Sequence, residues 1–144
     1  MTKKVPVIMF LFIMLLYSKA VFAEGLKYVE IFDPKQNKVV KVVQLNTEIH
    51  NVVTSWIKNI NGIYGKSNPI TDDGYAIKIP IDPAVYVHSK SLNAIVDEVY
   101  IIIPEEDPPF FMIFENESKL CCFPFNGNID TLSEILRFNL KTNR

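Results

Sequence analysis

A chain of 144 residues with 15 basic and 16 acidic side chains carries a formal net charge of −1, too little positive charge to hold nucleic acid by simple electrostatics. Hydrophobic residues make up 49% of it and only two residues are cysteine, which excludes a disordered chain and a small domain stapled by disulfides. The core has to hold the fold by itself.

The first 23 residues read as a secretory signal peptide. Lys3 and Lys4 supply the positive start, Val5 through Tyr17 is an apolar run without charge, and Val21-Phe22-Ala23 offers compact side chains to a signal peptidase. Cleavage is expected between Ala23 and Glu24. The stretch from Val5 to Ala23 also has the length of an uncleaved anchor. Lys19 interrupts it, however, Pro6 weakens its start, and no cysteine follows that a lipid could modify. The expected organisation is a signal peptide at 1–23 and one domain at 24–144. Losing the signal removes Lys3, Lys4 and Lys19 and no acid, so basic residues fall to 12 against 16 acidic ones, a net charge near −4. Contact with a membrane is expected only through the N-terminal segment, if it stays uncleaved.

Lys27 to Phe32 alternates as a strand, Asp33-Pro34-Lys35-Gln36-Asn37 is turn chemistry, and Lys38 to Leu45 returns as the second arm of a hairpin. Asn46 or Thr47 then caps a helix. Its apolar residues Ile49, Val52, Val53, Trp56, Ile57 and Ile60 keep the i, i+3, i+4 spacing, and Asn61-Gly62 closes it. Tyr75 to Ile81 is a strand that Asp82-Pro83 should break, and Ala84 to His88 is a short strand of its own.

Ala94 to Ile103 and Phe110 to Glu115 are apolar on both faces, the mark of central strands. The joint between them, Pro104 to Pro109, is a hairpin tip. Leu120 to Phe125 is a further strand, and a closing helix starts at Asp130 or Thr131 with a capping-box spacing to Glu134. The fold class is therefore α+β: a mainly antiparallel sheet of about six to seven strands with two packed helices. Two helices on one side would leave the other face of the Ile- and Phe-rich pair to solvent. Either the helices divide between the faces, or that exposed apolar face meets a partner, such as a protein or a cell-wall component, a ligand or another copy.

Residues able to carry chemistry are few. Cys121 and Cys122 are adjacent; in a strand they point to opposite faces, and two small hydrophobes is the simplest reading, ahead of a vicinal or intermolecular disulfide. His50 falls on the polar side of its helix and His88 at a strand end, without the spacing of a metal or nucleophile motif. Asp72-Asp73-Gly74 and Glu105-Glu106-Asp107 read as solvated turns without the ligand spacing of a calcium loop. Asp97 and Glu98 sit inside an apolar strand, so one of them lies near an apolar face; as neighbours in a strand they cannot serve one site together. Asn116-Glu117-Ser118 matches a glycosylation sequon. No catalytic residue, cofactor site or metal site is assigned.

Trp56-Ile57-Lys58, Gly62-Ile63-Tyr64, Asn68-Pro69-Ile70, Gly74-Tyr75, Ile79-Pro80-Ile81, Val96-Asp97-Glu98-Val99 and Ile101-Ile102-Ile103-Pro104 follow one another in a word order that resembles small exported proteins of unknown function from endospore-forming, Gram-positive bacteria. The resemblance covers most of the chain after residue 23. It implies a secreted or cell-envelope location and brings no activity and no functional residue. The expected function is that of a non-enzymatic interaction or ligand-binding protein outside the cytoplasm. The alternatives are a small hydrolase using carboxylates such as Asp97, Glu98 or Asp73, and an accessory protein tethered through an uncleaved N-terminal segment.

Overall fold

The computed structural model describes residues 26–63, 72–116 and 119–141. The signal-peptide reading, with Ala23 and Glu24, lies outside these residues, as do Glu117 and Ser118 of the sequon. The described elements run β1 (Tyr28–Asp33), β2 (Lys38–Gln44), α1 (Thr47–Lys58), β3 (Tyr75–His88), β4 (Asn93–Ile103), β5 (Phe110–Asn116), β6 (Lys119–Pro124) and α2 (Ile129–Leu136). Six strands form one sheet in the order β2-β1-β3-β4-β5-β6, antiparallel at each pairing. The α+β class read from the sequence is the one observed.

Two details differ from the sequence reading. Asp82-Pro83 does not end a strand: β3 runs through it for 14 residues, with a register shift between Pro80 and Val85 and a cis Asp82–Pro83 bond. A bulge absorbs the residue that cannot donate to the ladder, so pairing with β4 resumes beyond it. The closing helix is capped by Asn128, whose side chain accepts from the Thr131 N–H at 3.0 Å, so Thr131 lies inside the helix and its capping-box spacing is not used.

Register explains the two faces. Ile31, Ile77, Ile101, Phe111 and Phe123 stand side by side across β1, β3, β4, β5 and β6. All are buried under the helices. α1 turns Ile49, Val53 and Ile57 onto this face, and α2 adds Leu132 and Leu136. Each such side chain contributes about 1.5–3 kcal/mol through burial.

The C-terminal end of α1 is fixed by the loop after β6. Asn126 Nδ2 donates to the carbonyls of Trp56 (3.0 Å) and Asn59 (3.1 Å) at the end of the helix, where the Trp56 carbonyl also accepts from the Asn59 N–H at 3.1 Å. Trp56 is half-buried rather than central; it meets Phe125 edge-to-face at 5.2 Å. Gly127 is required beside it, because a Cβ there would lie 2.5 Å from the indole ring. Gly74 is required at the other end of the sheet: its φ is +74°, and a Cβ would run into the Ile103 carbonyl.

The one-residue offset row builds the opposite face. Glu30, Lys78, Tyr100, Met112 and Cys122 are neighbours across the same five strands. Phe32, Ala76, Ile102 and Phe110 lie one step along on the same side and pack with Tyr100 and Met112. The helices share one face rather than dividing between two, and among the described residues this second cluster draws only on strands. Its centre is nonetheless shielded, with Tyr100, Ile102 and Phe110 each 1% exposed. The continuous apolar runs of β4 and β5 are thus buried on both sides, as their composition implied.

Candidate functional site

Backbone pairing at the open end of the first hairpin places the residues of a groove. Leu45 N–H donates to the Lys27 carbonyl at 2.9 Å, carrying the β1–β2 pairing to the residue before Asn46. Asn46 then caps α1, its side chain accepting from the Ile49 N–H at 2.8 Å. The first turn of α1 is thereby held beside Lys27. Across from it the β3 bulge turns the Pro83 carbonyl toward the helix, where it accepts from His50 Nε2 at 2.8 Å. A carbonyl can only accept, so Nε2 carries the proton of this bond.

Between these parts lies a groove of about 480 Å³, lined by Leu26, Lys27, Gln44, Leu45, Asn46, Thr47, His50, Asn51, Asp82 and Pro83. That volume falls in the range of small-molecule sites. Leu45 and Pro83 give it apolar wall; the rest of its lining is mostly polar. The side chains of Lys27, Gln44, Thr47, Asn51 and Asp82 make no hydrogen bond or ion pair. The groove therefore presents both charges and several donors and acceptors that the fold itself does not use.

A second polar group lies on the sheet face away from the helices. Lys78 is 3% exposed, a depth at which lysine is rare without counter-charges. Burial pulls its ammonium below the usual lysine range, while the carboxylates of Glu98 and Glu30 oppose that shift. Tyr100 Oη donates to Glu98 Oε2 at 2.7 Å. Burial, with the Glu98 charge behind it, drives the Tyr100 phenol far above the ordinary tyrosine value. Every buried polar side-chain atom among the described residues has a partner, so this cluster reads as a satisfied structural network.

The carboxylates named from the sequence do not converge. Glu98 is half-buried in that network, whereas Asp97 beside it is exposed. Asp73 lies in the turn before β3, where its Oδ1 accepts from the Glu105 N–H at 3.0 Å. This bond brings the two acidic turns together, and Lys35 pairs with Glu105 at 3.0 Å. No cluster of metal-ligating side chains occurs among the described residues.

Cys121 and Cys122 are free and half-buried on opposite faces of β6. Burial raises both thiols, joined at Cys121 by the Glu115 charge, so neither is primed as a thiolate. His88 joins Tyr86 and Asn93 at the end of the β3–β4 hairpin, with Tyr86 Oη donating to Asn93 Oδ1 at 2.6 Å and the rings of Tyr86 and His88 stacked at 5.8 Å. No helix among the described residues is long and apolar enough to cross a membrane.

The sequence reading passed over the groove residues. Lys27 and Gln44 fall within strand readings, Asn51 and His50 on the polar face of the helix, and Asp82-Pro83 reads as a breaker. His50 and Pro83 are separated by 33 positions, and only folding joins them. No protein-family model matches the chain, and no curated protein or solved structure is significantly similar to it.

Proposed function

We propose that this chain is an exported, non-enzymatic binding protein that takes a small polar ligand in the groove between α1 and the β3 bulge. The observation that carries the reading is a ligand-sized groove whose charged and amide side chains bond to nothing in the fold, Asn46 and His50 excepted. Export is supported by the basic, apolar and compact segments that precede Glu24 in the sequence. A carboxylate hydrolase would need acids converging on one cleft. Asp73, Asp97 and Glu98 instead lie at separate places.

Amide-resolved NMR during titration with a panel of sugars, amino acids and short peptides tests the reading. Perturbations concentrated at Gln44–Asn51 and Asp82, with no turnover of the bound compound, are expected. Perturbations centred on Glu98 and Tyr100, or accumulation of a hydrolysis product, would overturn it.

A further inference from the structure

The groove's charges go further than a general affinity for polar molecules. Lys27 and Asp82 line the same groove, carry opposite charges, and pair neither with each other nor with another residue. Elsewhere on the described surface opposite charges do pair: Lys35 with Glu105, Lys119 with Glu115 and Lys141 with Asp130. A cation just before β1 and an anion in β3, both lining one cavity, match a ligand that carries an anion and a cation itself. Gln44, Thr47 and Asn51 supply amides and a hydroxyl between them, suited to peptide N–H and C=O groups.

We infer that the ligand is a short peptide with free termini, its carboxylate directed to Lys27 and its ammonium to Asp82. This inference rests on the groove being the binding site. At about 480 Å³ the groove accommodates a chain of two or three small residues.

The test is calorimetric titration of the purified chain with tri-alanine in three forms: free, N-acetylated and C-amidated. Free tri-alanine should bind, and each cap should weaken it by about tenfold or more, the scale of one lost charge-assisted contact. Asp82→Asn should erase the penalty for acetylation and keep that for amidation. Lys27→Gln should do the reverse. Both are exposed positions, and an unchanged unfolding midpoint confirms that the variants fold.

Equal binding of free and capped peptide would overturn the inference, as would the loss of both preferences in either variant. The groove reading has a separate outcome. If a doubly capped peptide or a neutral sugar perturbs the amides of Gln44–Asn51 as strongly as free tri-alanine, the site stands and the zwitterion falls. If no probe perturbs them, both fall.

Discussion

Alternate residues of the same six strands build two faces that hold together by different means. Beneath the helices, the row Ile31-Ile77-Ile101-Phe111-Phe123 is apolar from strand to strand, and α1 and α2 close over it. One residue along, the row becomes Glu30-Lys78-Tyr100-Met112-Cys122, with charge in its middle and no described helix above it. The helix side is held by area removed from water and tolerates no void. The opposite side includes a buried lysine and phenol whose hold on their protons differs from that in the unfolded chain, so its contribution to stability depends on pH.

The largest effect should come from the helix side. Phe111→Ala is expected to cost about 3–5 kcal/mol in urea unfolding, because Phe111 is fully buried against both Phe123 and the helices. Cys122→Ala, at the outer edge of the opposite row, should cost about 1 kcal/mol or less. Equal losses would break the contrast between the faces.

Next in size is the clamp on α1. Gly127→Ala would put a methyl 2.5 Å from the Trp56 ring and should cost about 1–3 kcal/mol, with a shift in tryptophan emission as the indole moves off Phe125. A neutral result would mean that Trp56 is not held by this loop.

The smallest effect at neutral pH, and the most specific, belongs to Tyr100. Its folded value is raised, so the unfolded chain loses the phenolic proton above about pH 10 while the native one keeps it. Stability therefore falls as pH rises there, by up to about 1.4 kcal/mol per pH unit. Lys78 works in the opposite sense, since its value is lowered: below 10.5 the unfolded chain holds a proton that the native one gives up, and stability rises with pH in that window. The half-buried thiols add a loss that begins near their ordinary value of 9.0. Tyr100→Phe should flatten the decline above pH 10 relative to the parent, measured as denaturant midpoints across pH 8–11. An unchanged slope would remove Tyr100 from the account.

The fold was legible wherever periodicity was strong. α1 follows from Ile49, Val53 and Ile57 at helical spacing behind an asparagine cap, and β4 and β5 follow from runs that demand cover on both faces. Asp82-Pro83 misled because proline usually ends a strand, and only pairing with β4 on the far side reveals a bulge. Thr131 misled because Asn128, three residues earlier, takes the cap.

The polar features stayed hidden for a different reason. Glu98 stood out as a charge in an apolar strand and shares a face with Tyr100 two residues on, but its proximity to Lys78 depends on a register that no local pattern contains. The groove is hidden further still, since Lys27, His50 and Asp82 come from three distant stretches of the chain and each alone looks like an ordinary surface residue. Lack of internal partners distinguishes Lys27 and Asp82, and that property exists only once the chain is folded.

That property also supplies the most direct test of the claim that the groove serves a ligand rather than the fold. The quadruple variant Lys27→Ala, Gln44→Ala, Asn51→Ala and Asp82→Ala should unfold within about 1 kcal/mol of the parent, as changes at exposed side chains without partners do. The same variant should lose the ligand-induced amide perturbations at Gln44–Asn51. A fall in unfolding free energy of more than about 2 kcal/mol would show that these side chains hold the structure together, and it would contradict the account.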